Sequence, residues 1–396
     1  MDPADIAWLR SDAGVSACTE ATTLLETGRS ELAVLDTLRR AIHPEQTRAV
    51  LALIEGRHSA AGKFADAGRL FFDRESAEQS TSETVARHTA ARFAGVRRVA
   101  DLGCGAGGDA LALAEVAPVL AVDRDPARLA LLETNAEVRG VDARIEVVES
   151  TIAELVLPGD IDAVWLDPAR RDARGRTLDP EAWSPPLSDA IRIASRVSRA
   201  GIKVAPGIDH RVVPAGAEVE FISLGGSLVE AVIWLGGAVT ARRRATVLPE
   251  GVTVAGDADT GVTPVAPPGA YLYDLDPSVG RANLVDAVAP ALEAWRIDET
   301  IAYLSGDEPR QSPFARRFRV AAWFPFGERR ILDALRDAGA TRVEVMRRGS
   351  PVETNPLEVR LNRALAGTLA PTEEPWTVAL TRTSSEHIAI VCRRER

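Results

Sequence analysis

The feature that most constrains this chain is the run Val99-Ala-Asp-Leu-Gly-Cys-Gly-Ala-Gly-Gly-Asp109. A short apolar segment that ends in closely spaced glycines and continues into the helix-forming stretch Ala110 to Glu115 reads as strand, tight turn and helix. Glycines at such a turn let a ligand approach the backbone, and the helix that follows presents free N–H groups. The run therefore predicts a ligand-binding α/β domain.

The sequence after it repeats the unit. Val119 to Val122 reads as a second strand, and Pro126, suited to a first helical turn, opens a helix to about Val138. Arg144 to Val148, Ile161 to Leu166 and Gly201 to Ala205 read as further strands, the last preceded by helical sequence from Leu187 to Arg199. Glu218 to Leu224, Gly225-Gly226-Ser227 and Leu228 to Leu235 form an apolar hairpin. Strand-then-helix units closed by a hairpin predict a doubly wound sheet with an antiparallel edge.

The expected organisation is a helical domain over residues 1–93, the α/β domain over 94–240, a linker or strand extension over 241–269, a small ferredoxin-like α/β unit over 270–325 and a last α+β domain over 326–396. In the first of these, Leu32, Leu35 and Leu38 recur at near-helical spacing, and Ser80, Thr81 and Ser82 offer hydroxyl caps for a helix leading to Phe93.

Composition narrows the class. With 396 residues, 46% hydrophobic and 26% charged, the chain has ample material for a core and is neither disordered nor collagenous. No run of about 18 apolar residues is present, and Met1 to Arg10 carries Asp2 and Asp5 without a basic leader, so the expected address is cytoplasmic. Cys18, Cys104 and Cys392 stand in unrelated contexts, and the five histidines show no metal spacing, so neither a disulfide framework nor a metal site is expected. Of the 47 basic residues, only Lys63 and Lys203 are lysines, which a coding bias toward arginine explains.

Taken literally, Gly103, Gly105 and Gly108 match the GxGxxG dinucleotide fingerprint, with Asp123 as a ribose ligand and a nicotinamide dehydrogenase as the corresponding activity. Two other features point elsewhere. Asp101 lies where a carboxylate would obstruct a pyrophosphate but would suit the ammonium of S-adenosylmethionine. Leu166-Asp167-Pro168-Ala169-Arg170 lies at the carboxyl end of the fourth strand, where open α/β sheets place their ligands. Together Asp101-x-Gly-x-Gly, Asp123 and Asp-Pro-Ala-Arg resemble the class I S-adenosylmethionine-dependent methyltransferases over about Thr81 to Gly237.

That resemblance implies a Rossmann-like sheet of seven strands whose last hairpin is antiparallel. It implies that the backbone around Gly103, Cys104, Gly105 and Gly107 packs against the methionine part of S-adenosyl-L-methionine, with Asp101 orienting it. Asp123, followed by Arg124, would take the ribose hydroxyls, and Glu149 and Ser150 would fall beside adenine. Asp167, Pro168 and Arg170 would shape the acceptor pocket, with Arg171 able to contact substrate. In the amino-methylating branch the motif is Asp/Asn-Pro-Pro-Tyr/Phe; here Ala169 and Arg170 replace its last two residues. The motif also resembles the Asp-Pro-Pro-Arg of RNA uracil-5 methyltransferases, but those need a cysteine after the fifth strand, where this chain has Lys203-Val-Ala-Pro-Gly207. Asp209-His210 is an acid/base pair by sequence or an ordinary exposed loop.

The whole architecture resembles bacterial methyltransferases with a C-terminal THUMP-like domain, the C-terminal likeness being carried by Glu328 to Arg348 and Asn355-Pro-Leu-Glu-Val-Arg-Leu361. This implies an RNA substrate, tRNA or rRNA, with no DNA and no membrane partner. The net charge of −10 resides entirely in residues 1–240, while 241–396 is neutral and Arg310 to Arg348 holds ten arginines against four acids. Phe314, Phe318, Trp323, Phe324 and Phe326 interleave with that run, as phosphate binding with base stacking would require. Arg316, Arg317, Arg347 and Arg348 are the candidate substrate contacts. The alternatives are a small-molecule or protein methyltransferase, and a cofactor-binding but inactive interaction module.

Overall fold

The computed structural model describes residues 1–169, 171–172, 175–177, 179–366, 374–383 and 386–395. These fall into two compact units, Met1–Ala217 with Ala231–Thr240, and Glu218–Glu230 with Ala241–Arg396. Among the described residues no helix is long and apolar enough to cross a membrane.

The first unit begins with helices whose starts follow local capping chemistry. Asp2, Ser11 and Ser30 each accept a backbone N–H at the beginning of α1 (Pro3–Leu9), α2 (Asp12–Glu26) and α3 (Glu31–Ala41). α4 (Pro44–Ala60), α5 (Arg74–Gln79) and α6 (Glu83–Ala90) complete the set. The residues expected as a separate helical domain share one hydrophobic core with the α/β part: Leu9, Leu38, Leu53 and Phe72 pack in the same cluster as Ala106 of the glycine-rich turn and Leu131.

Five parallel strands follow: β1 (Val99–Leu102), β2 (Val119–Asp123), β3 (Ile145–Glu149), β4 (Ala163–Leu166) and β5 (Arg199–Val204). Their order in space is β3-β2-β1-β4-β5, with α7 (Ala110–Val116), α8 (Pro126–Arg139) and α9 (Leu187–Ala194) as crossovers. Gly225 and Gly226, both at positive φ, turn the chain between β6 (Glu218–Leu224) and β7 (Ser227–Gly236). The C-terminal half of β7 runs antiparallel beside β5, placing Trp165, Gly201 and Trp234 in one row. A Cβ on Gly201 would stand 2.7 Å from both indoles, so the glycine is what lets those rings meet at 5.8 Å.

In the second unit β6 runs parallel to β8 (Arg243–Leu248), which pairs antiparallel with β9 (Val252–Gly256). The stretch expected as linker is therefore a regular hairpin followed by loop. Residues expected as two small units, 270–325 and 326–396, instead build one seven-stranded sheet. Its long strands are β10 (Tyr271–Leu275), β11 (Tyr303–Gly306), β12 (Ala315–Pro325), β13 (Val343–Arg347), β14 (Trp376–Arg382) and β15 (His387–Glu395). Pairing of β12 with β15, about 70 residues apart in the chain, fuses the two halves. The helix expected from Ser278 to Trp295 is broken into α10 (Pro277–Ala282) and α11 (Val285–Leu292), because Asn283 takes a left-handed conformation. α12 (Glu328–Asp337) and α13 (Thr354–Leu365) pack Ile331, Leu335, Leu357 and Leu361 against Val378, Leu380 and Val391 of the sheet.

One buried side chain ties the helices to the turn after β1. Asn135 of α8 accepts from Phe71 N–H at 2.7 Å and donates to the carbonyls of Phe71 at 3.0 Å and Ala106 at 3.4 Å. Asn135→Ala leaves these buried backbone groups unpaired and is expected to destabilise the first unit by about 2 to 4 kcal/mol, read from urea denaturation; a loss below about 0.5 kcal/mol would show that the tie is dispensable.

Candidate active site

Parallel strands deliver their carboxyl ends to one edge of the sheet, where β1, β2 and β4 bring together the carboxylates of Asp101, Asp123 and Asp167. The turn after β1 is anchored to β2: the N–H groups of Gly103 and Cys104 both donate to the Val122 carbonyl, at 2.8 and 3.1 Å. At Gly105, φ is 53° and a Cβ would meet nothing within 4 Å, so the backbone there faces open space that a side chain would fill. At Gly107 (φ 96°), a Cβ would come within 2.4 Å of Leu132 Cδ1, so that glycine serves close packing instead.

Asp123 is held from both sides. Gly105 N–H donates to its Oδ2 at 2.9 Å and Asp125 N–H to its Oδ1 at 3.0 Å. Glu149 pairs with Asp123 in register and is exposed, and Ser150 N–H donates to the Asp123 carbonyl at 3.0 Å. Arg124 is exposed at the next position. The expected cofactor-side residues are thus neighbours in space.

Asp101 is 1% exposed, and its Oδ2 has no hydrogen-bond partner among the described residues. Burial first, and then the carboxylates of Asp109 and Asp167, push its carboxyl well above the usual range, with Lys203 opposing. Cys104 is a buried free thiol that burial and Asp101 push up, which makes it a packed side chain rather than a nucleophile.

Sequence reasoning missed the group at the centre of these acids. Lys203, 7% exposed near the end of β5, places its Nζ 3.0 Å from Asp167 Oδ2, 3.4 Å from Asp109 Oδ2 and 2.5 Å from Thr81 Oγ1. Thr81 also donates to Asp109 Oδ2 at 2.9 Å, so it does more than precede a helix. The other lysine, Lys63, donates to the carbonyls of Ala77, Glu78 and Ser80 at 2.9, 2.7 and 2.7 Å. Both lysines therefore act on the segment Ala77 to Thr81. Their rarity in the sequence was the available signal.

Asp167 is anchored by its N–H to the Leu102 carbonyl at 3.3 Å, and Pro168 is buried behind it. Arg170 lies outside the described residues, as does the side chain of Arg171. Asp209 pairs with Arg211, whose hydrogen bonds hold its carboxyl down to about 2, with His210 adding to the effect.

In the second unit the four expected arginines have protein partners. Asp274 receives Arg316 Nε at 3.2 Å and Arg348 Nε at 2.8 Å; Arg317 faces Glu395 at 3.4 Å; Arg347 donates to the Val352 carbonyl at 2.8 Å. Phe318 is in the core, whereas Trp323 and Phe326 are 39% and 38% exposed. Counting charge within Arg310 to Arg348 overlooked acids elsewhere in the chain. Arg319 and Arg393, by contrast, are exposed and stand opposite one another on β12 and β15.

Comparison with known proteins sets these features in a lineage. Residues 96–170 match the family model described as RNA cap guanine-N2 methyltransferase, residues 315–394 match "THUMP domain-like", and residues 2–60 match a domain of unknown function. Proteins from two Mycobacterium tuberculosis strains, each described as an uncharacterized S-adenosylmethionine-dependent methyltransferase, are 35% identical over 361 residues, spanning 86% of this chain and 95% of theirs. The fold is shared with a Porphyromonas gingivalis W83 protein assigned as a methyltransferase, at TM-score 0.69 and 18% identity over 90% of this chain and 92% of that one.

The raised Asp101 carboxyl has a measurable consequence. The folded protein holds a proton there more tightly than the unfolded chain, whose carboxyl titrates near 3.9, so the associated stability is present below that pH and is lost as pH rises through the folded value. Asp101→Asn keeps the shape and removes the charge, and is expected to raise the ligand-free Tm at neutral pH by about 2 to 4 °C. The gain should vanish near pH 4; a Tm difference independent of pH would contradict it.

Proposed function

The chain belongs to the S-adenosylmethionine-dependent methyltransferases, and from that premise we propose that it methylates RNA, tRNA or rRNA, bound by its second unit. The observation that carries this reading is the presence in one chain of an RNA-methyltransferase match over residues 96–170 and a THUMP-like match over 315–394. Exposed Arg319 and Arg393 support it, since like charges facing across a strand pair are unfavourable without an anion.

The residues of the site fit the cofactor. A buried carboxyl oxygen of Asp101 lacks a partner among the described residues and suits an ammonium, and the open space over Gly105 is a cradle that a side chain would fill. When bound, S-adenosylmethionine supplies an electrophilic sulfonium methyl group and leaves as a neutral thioether. In this reading the backbone from Gly103 to Gly107, with Cys104 packed beneath it, lines the methionine part, and Asp101 holds its ammonium. Asp123 accepts from the ribose hydroxyls, and Arg124, Glu149 and Ser150 border the nucleoside. Asp167 and the Pro168 carbonyl hold the methyl acceptor, with Arg170 and Arg171 beside it. Alignment of acceptor and methyl group then supplies much of the rate.

Two measurements test the reading. Gly105→Ala is expected to weaken S-adenosylhomocysteine binding about tenfold by calorimetry, because the new methyl group enters the cradle. Nucleosides from a strain lacking the gene are expected to lose one methylated species in tRNA or rRNA, restored by the wild-type gene and not by Asp167→Ala. Unchanged RNA methylation would overturn the RNA assignment and favour a small-molecule or protein acceptor.

A further inference from the structure

A chain with 45 arginines among its 47 basic residues retains lysine only at positions 63 and 203, and at each the ammonium has three oxygens within hydrogen-bonding reach. An ammonium offers three rotatable donors on a thin stem, whereas a guanidinium offers a rigid planar fork. The buried tripod at Lys203 draws its oxygens from three separate places: Thr81 before α6, Asp109 at the end of the glycine-rich turn, and Asp167 after β4. Asp101 on β1 and Asp123 on β2 are the other acids of this neighbourhood. Lys203 reaches Oδ2 of Asp167, while the Asp167 side chain as a whole stays 29% exposed.

We infer that Lys203 is a positioning residue: it holds one oxygen of Asp167 and thereby turns the other toward the methyl acceptor, limiting the acceptor to a group that carries a hydrogen, such as an exocyclic amine. An anionic carboxylate only accepts hydrogen bonds, so a bare ring nitrogen finds no partner there. The inference deepens the RNA reading and rests on it for the identity of the acceptor. Lys63 supports the same geometry at one remove, by fixing the carbonyls just before Thr81.

The test uses the full chain with S-adenosylhomocysteine bound. Crystal structures of the wild type and of Lys203→Met are expected to show the Asp167 carboxylate displaced by about 1 Å or more in the variant, a misplacement of the size that lowers kcat about 100-fold. Kinetics on RNA from the deletion strain should show that fall in kcat with KM within about threefold, and no further loss when Lys203→Met is added to Asp167→Asn. Lys203→Arg is expected not to restore kcat, because the planar fork cannot meet the tripod. If Lys203→Met does not fold, Lys203→Gln takes its place. An Asp167 carboxylate that stays in place without the lysine overturns the inference, whether or not RNA is the substrate. Additive losses in the double variant overturn it as well. Absence of transfer to any RNA by the wild type overturns the RNA reading alone and leaves the structural comparison decisive for Lys203.

Discussion

A single ammonium among buried acids is the constraint around which the first unit is arranged. Carrying an unpaired charge into a protein interior is costly, and the strand ends and the glycine-rich turn bring together Asp101 and Asp109, which are buried, and Asp167, which is partly exposed. Lys203 offsets part of that charge, and among the described residues one oxygen of Asp101 and one of Asp109 have no hydrogen-bond partner. A site short of positive charge is tolerated within a well-packed core, and in the proposed reading the ammonium of the cofactor supplies the missing cation.

The helical front of the chain is part of this arrangement rather than an appendage. Lys63 fixes the segment from Ala77 to Ser80, and Thr81 then enters the hydrogen-bond group of Asp109 and Lys203. Gly108 is needed beneath it, since a Cβ there would lie 2.9 Å from Thr81 N. Together with the Asn135 tie to Ala106, these contacts place the glycine-rich turn between two supports that come from different parts of the sequence.

Much of this was legible from the residues. Glycine punctuation after Leu102, the carboxylates Asp101 and Asp123, and Asp167-Pro168 each carry a local signal, and strand alternation places them at the ends of β1, β2 and β4. For Lys203 the only signal was its rarity, and Thr81 read only as a helix cap, because their meeting depends on the order β1-β4-β5, which brings together residues 122 positions apart. The C-terminal arginines show a related effect: charge counted within a window cannot see that Asp274 and Glu395, outside it, pair with Arg316, Arg348 and Arg317. Asn283 broke a helix that apolar periodicity alone would continue, since its left-handed turn has no hydrophobic signature.

The division of the chain has an evolutionary consequence. The first unit gives way to the second after Ala217, resumes at Ala231 and ends at Thr240, so the backbone passes between units three times within two dozen residues. No single crossover in a gene separates two such units: a fusion or exchange at any one point would leave β6 or the end of β7 with the wrong parent. The two units are therefore interleaved along the chain rather than joined end to end.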